Sequence, residues 1–106
     1  MGKEKSIEQN LVRATKGRGG VCPKLASPGF DGMPDRLVLL PHGKMGFVEV
    51  KAPGEKPRPL QTARHRFLER LGYKVYVLDT VEAVPHILDG IGGKDGKSDN
   101  TAGRQE

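Results

Sequence analysis

Three short apolar runs, Arg36 to Leu40, Phe47 to Ala52 and Lys74 to Leu78, constrain this chain most, because the segments that separate them differ in kind. The first two are joined by PHGKMG, a turn-forming stretch too short for a crossover, so they read as an antiparallel hairpin. Between the second and third, APGEKPRP breaks the pattern. Leu60, Ala63, Phe67, Leu68 and Leu71 then fall on one helical face, and Gly72 is a natural stop. Strand, helix, strand implies a right-handed crossover with parallel pairing. A sheet that holds both kinds of pairing is mixed, and helices must flank it.

The remaining segments extend this frame. Ser6 followed by Gln9 has the form of a capping box, and Ile7, Leu11 and Ala14 recur at helical spacing, which predicts a first helix from about Ser6 to Thr15. VCPKLA reads as a short edge strand, where Pro23 is tolerated. SPGFDGMPD is a turn-rich loop leading into the first strong strand. Thr80 caps a final helix from Val81 to about Leu88, with Pro85 a threat to its continuity. The expected organisation is one domain over residues 1–89, followed by a Gly-rich tail, 90–106, with almost nothing to bury. The element order is αβββαβα.

Composition narrows the class of protein. A chain of 106 residues supports one core, and 15 Gly, 8 Pro and no Trp make that core thin. A two-fold homodimer would relieve the marginal stability of such a domain. The lone Cys22 forms no internal disulfide and fits a reducing cytoplasm, and Cys22 with three scattered His makes no zinc box. No apolar run has the length of a membrane span, so no membrane partner is expected. Charge is uneven along the chain: Lys51 to Lys74 holds 7 Lys/Arg against 2 Asp/Glu, a net of +5, whereas Val75 to Glu106 holds 3 against 6, a net of −3. A basic middle suits a polyanion such as DNA.

The chemistry-bearing residues lie where strand and basic segment meet. In FVEVK the period of two puts Val48 and Val50 on one face and Phe47, Glu49 and Lys51 on the other. The hairpin can bring Asp35, at the entrance to the preceding strand, toward Glu49. Two convergent carboxylates attract a hard divalent cation, which phosphodiester hydrolysis uses to acidify a bound water and to offset charge on the phosphate. Lys51 adds a mobile positive charge beside them.

GMPD followed by FVEVK resembles the PD-(D/E)xK signature of nucleases with the restriction-endonuclease-like fold. An acid on a preceding helix, Glu8, and a Gln opening the following helix, Gln61 in RPLQTARHRFLERLGY, make the chain similar to the virus-type replication and repair nuclease (VRR-NUC) subgroup over about Ser6 to Asp79. That resemblance implies an α/β fold with a restriction-endonuclease-like αβββαβα core, and Mg²⁺ or Mn²⁺ as cofactor. It implies Asp35, Glu49 and the Val50 carbonyl as metal ligands, Lys51 as catalytic lysine, Gln61 as its supporting neighbour and Glu8 as a further acid near the metal. It also implies a homodimeric, structure-specific endonuclease acting on branched DNA in the manner of Holliday junction resolvases. Lys56, Arg58, Arg64 and His65 follow the catalytic strand and are candidates for DNA contacts, whereas Arg66 and Arg70 lie farther round the helix from Gln61. The competing readings are a non-catalytic DNA-binding module and an interaction subunit of a replication or repair assembly.

Overall fold

The computed structural model describes residues 2–93. Its elements are helix α1 (Gly2–Gly17), strands β1 (Arg36–Leu40) and β2 (Lys44–Val50), helix α2 (Pro59–Arg70), strand β3 (Val75–Leu78) and helix α3 (Val84–Gly92). The sheet order is β1-β2-β3. β1 and β2 are antiparallel, with Arg36 opposite Val48, and β2 and β3 are parallel, with Glu49 opposite Val77. The mixed sheet and its connecting helix are those expected from the spacing of the apolar runs.

The hairpin turns through Pro41–Gly43, where His42 (φ 69°) and Gly43 (φ 73°) both adopt left-handed backbone. That pair supplies the reversal which brings Leu40 opposite Lys44. The segment before β1 pairs with its free edge through isolated bridges, Val21 to Leu39 and Lys24 to Arg36. The first of the four expected strands is thus a bridging edge segment, and Pro23, which lacks an N–H, only accepts there, from Leu37.

Both faces of the sheet are covered, but unequally. Ile7 and Leu11 of α1 and Val84, Ile87, Leu88 and Ile91 of α3 close over Val38, Leu40, Val48, Val50 and Leu78 to form the apolar core. Among the described residues α2 is the one helix on the other side, and its buried residues are His65 and Leu68. α2 ends in a Schellman motif: the N–H of Gly72 (φ 101°) donates to Glu69 and that of Tyr73 to Leu68.

Several expectations are corrected. α1 starts at Gly2, four residues before Ser6, because Lys3, Glu4 and Lys5 favour helix and nothing in that stretch stops it. Ser6 and Gln9 are therefore interior positions and not a capping box. Of the expected apolar stripe of α2 only Leu68 is buried: Leu60 is 52 % exposed, Phe67 37 % and Leu71 57 %. The inward stripe is instead Gln61, His65 and Leu68, as described below. Pro85 does not kink the last helix, since a 3₁₀ turn at Val81–Ala83, with the Ala83 N–H donating to the Thr80 hydroxyl, places Pro85 in the first turn of α3. α3 continues to Gly92, beyond the expected boundary at residue 89, because Ile91 still has a core position against Gly46. The rest of the expected tail, residues 94–106, lies outside the described residues.

Candidate active site

β2 carries the site on the face turned away from the main core. The register that sets Arg36 opposite Val48 carries Asp35, one residue before β1, opposite Glu49. Asp35 is fixed by its own hairpin partner strand: its Oδ2 accepts the Val50 N–H at 2.8 Å. Glu49 is 1 % exposed. Burial pushes its carboxyl up to about 7, the negative charge of Asp35 pushes in the same direction, and Lys51 opposes both. Lys51 Nζ lies 3.6 Å from Glu49 Oε2.

The inward stripe of α2 holds this carboxylate from above. Gln61 Nε2 donates to Glu49 Oε2 at 2.9 Å, while Gln61 Oε1 accepts the N–H of Arg58, the residue that caps the helix, at 2.8 Å. One side-chain amide therefore ties the start of α2 to the strand. His65, one turn later, is 7 % exposed, and its Nε2 is 3.7 Å from Glu49 Oε1. Burial holds the imidazole pKa down, and neither His65 Nε2 nor Glu49 Oε1 has a hydrogen-bond partner. A buried carboxylate oxygen without a partner is costly.

Asp35, Glu49, Lys51 and Gln61 are thus brought together, and Val50 joins them through its backbone. Glu8 is engaged elsewhere: its Oε2 accepts from Arg36 Nε at 2.9 Å, and the same guanidinium donates to the Cys22 carbonyl at 2.8 Å. Among the described residues no three His, Cys, Asp or Glu side chains gather into a metal-binding group. Lys56 and Arg58 are exposed. Arg64 donates from Nε to the Asp31 carbonyl at 2.8 Å and covers the Phe30 ring at 3.9 Å. His65, read from the sequence as a DNA contact, is an inner neighbour of Glu49. Its spacing of four from Gln61 was the available signal, because i and i+4 share a helix face.

A solved structure described as a VRR_NUC domain is similar to this chain, with a TM-score of 0.79 and 32 % sequence identity, covering 84 % of this chain and 97 % of its own. "Putative nuclease p44" of Acyrthosiphon pisum secondary endosymbiont phage 1 is 54 % identical over 78 residues, spanning 74 % of this chain and 84 % of the relative. The chain belongs to the VRR-NUC family. Its mixed sheet with flanking helices matches that VRR_NUC neighbour, a nuclease-type domain. No family model matches the chain. The VRR-NUC domain here includes no helix, among the described residues, that is long and apolar enough to cross a membrane.

Proposed function

We propose that this chain is a metal-dependent endonuclease of the PD-(D/E)xK type, hydrolysing DNA phosphodiesters at the centre formed by Asp35, Glu49 and Lys51. The observation that carries this reading is Glu49: a fully buried carboxylate, opposed by Asp35, with one oxygen unpartnered. Folding has set two carboxylates side by side with the single ammonium of Lys51 to oppose them, which is the situation a divalent cation relieves.

The donor set fits such an ion. Asp35, Glu49 and the Val50 carbonyl offer oxygen only, which suits Mg²⁺ or Mn²⁺. When bound, the ion supplies an acidified water and charge compensation at the phosphate. The chain's own groups do the rest. The Val50 N–H fixes the Asp35 carboxylate, and Gln61 fixes that of Glu49, so neither has to be oriented during the reaction. Lys51, only 15 % exposed along its side chain, places its ammonium beside Glu49, where it can hold a non-bridging phosphate oxygen or the attacking water. The exposed Lys56 and Arg58 contact phosphates along the approaching strand.

In this reading Glu8 serves as a further acid near the ion once it exchanges Arg36 for that partner. Glu8→Gln then lowers the rate at limiting metal, and an unchanged rate assigns Glu8 to Arg36 alone. A homodimer would set two such centres on opposing strands, as paired incision of branched DNA requires. Exposed apolar side chains such as Leu71 and Val21 supply surface for that contact.

The test is incubation of the protein with labelled four-way junction, flap, duplex and single-stranded DNA, with Mg²⁺, Mn²⁺ or chelator, beside Glu49→Ala. Metal-dependent cutting lost in the variant supports the nuclease, and paired symmetric nicks at the junction with a dimeric mass in solution support resolution. Metal-independent binding without cutting, retained in the variant, sinks the catalytic reading.

A further inference from the structure

Beside the centre lies a pocket of about 460 Å³ lined by Asp31, Gly32, Met33, Arg58, Leu60 and Gln61. Gln61 belongs to both, so the pocket is one hydrogen bond away from Glu49. We propose that this pocket receives an unpaired nucleotide of the DNA strand whose phosphodiester lies over Asp35 and Glu49. The proposal rests on the nuclease reading and names the feature of the substrate that the site selects.

The chemistry of the lining points to a base. Met33 and Leu60 offer apolar surface to the flat faces of a heterocycle. Asp31 and Gln61 offer polar groups to its edge. The Asp31 carboxylate disfavours a phosphate inside, whereas the exposed Arg58 is available to the phosphate of the same nucleotide. The volume lies in the range of small-ligand sites, about 300–1,000 Å³.

The wall formed by residues 30–33 is pre-formed. Arg64 pins it by donating to the Asp31 carbonyl at 2.8 Å and by covering the Phe30 ring at 3.9 Å. Gly32 (φ 87°) sits so close to the Leu60 carbonyl that a Cβ there would lie 2.8 Å from the oxygen. Arg64, a candidate phosphate contact from sequence, thus acts as a positioning residue for this wall.

The energetic consequence is substrate selection. A paired base must be unstacked before it can enter, at a cost of about a few kcal/mol, and a nucleotide already unpaired at a branch or fork does not bear that cost.

The experiment measures binding, separately from cleavage, with the full chain in Ca²⁺ by fluorescence anisotropy. Splayed duplexes carry an abasic nucleotide at each of the first three unpaired positions in turn. The expected result is about ten-fold weaker binding at one position, within the effect of losing a stacked base. Leu60→Ser, which strips the pocket, and Leu60→Trp, which fills it, should each remove that position's effect. Leu60 is 52 % exposed, so both variants are expected to fold, as circular dichroism can verify. Equal binding of all abasic substrates by the native chain, or a positional effect undiminished in both variants, overturns the proposal. Failure of the nuclease reading is seen independently, as intact unmodified DNA in Mg²⁺ and Mn²⁺.

Discussion

The two faces of the central strand differ in everything except backbone. Val48 and Val50 point into a core closed by two helices, and each is at most 2 % exposed. Glu49, between them in sequence, is as deeply buried at 1 %, but it points toward a single helix whose inward positions are Gln61, His65 and Leu68. Burial alone therefore does not separate scaffold from site. What separates them is whether the polar atoms removed from water find partners. Thr15, fully buried under the first face, donates its hydroxyl to the Leu11 carbonyl at 2.8 Å, whereas Glu49 Oε1 and His65 Nε2 are left without one. The first face stabilises the fold and the second stores an unresolved electrostatic cost.

The sharpest way to break that contrast is to neutralise the unresolved charge. Glu49→Gln preserves shape and keeps a carbonyl toward Gln61, so activity should fall by at least about 10²–10³-fold, the scale of losing one preorganised electrostatic group. Thermal stability without metal should hold or rise, since the repulsion from Asp35 disappears. Melting in the presence of chelator checks this. A large loss of stability would mean that Glu49 is a structural group, and the division between the faces would fail.

The converse prediction lies on the other face. Leu88 is fully buried in α3, and Leu88→Ala should cost about 2–5 kcal/mol by denaturant titration, while cleavage per folded molecule changes little. Gly46→Ala tests the same layer from the strand side. An added Cβ would lie 2.7 Å from Ile91 Cγ1, and relieving that contact should cost about 1–3 kcal/mol. A loss in Gly46→Ala combined with Ile91→Ala, which removes both Cγ1 and Cδ1, that is smaller than the sum of the two single losses would assign the cost to this contact and not to strand propensity.

This contrast also explains how much was legible beforehand. The scaffold face was readable because apolar alternation and helical spacing report burial directly: Val48, Val50, Leu11 and the hairpin emerged from pattern alone. Asp35, Glu49, Lys51 and Gln61 were readable through their motif. The approach of α2 was not. Its strongest periodic signal, Leu60, Phe67 and Leu71, lies outward, and Phe67 packs edge-on against Phe30 with ring centroids 6.4 Å apart while 37 % exposed. Hydrophobic periodicity predicts that a helix has an apolar face, but the sheet chooses which face it needs, and a sheet face carrying Glu49 and Lys51 selects Gln61 and His65. The same limit hid the Glu8 to Arg36 pair, whose residues are far apart in sequence and carry no spacing rule.

Cys22 gives a finer check on the scaffold face. Burial pushes its thiol pKa up, opposed by the nearby Arg36 guanidinium, and only 4 % of the residue is exposed. Thiolate is the reactive form, so alkylation of the native chain should be far slower than that of the urea-unfolded chain, and should report opening of this layer. Rapid alkylation under native conditions would show that the α1 side opens far more readily than the packing implies.

The smallest expected effect tests whether the two faces are independent at all. Thr80 accepts the Ala83 N–H at 3.3 Å, at the turn where β3 leaves the site side and α3 begins to cover the core. The bond is long and exposed, so Thr80→Ala should cost about 0.5–1 kcal/mol, the low end of N-cap losses. Distant sites without shared partners respond additively, so its stability loss should sum with that of Leu88→Ala unless α3 responds as one body, and should leave Glu49→Gln unaffected. A coupling between Thr80→Ala and Glu49→Gln would show that β3, which pairs with β2 at Glu49 and Val50, transmits strain from the core-covering helix to the site. Additivity would instead confine the functional cost to the α2 side, where the unpartnered atoms lie.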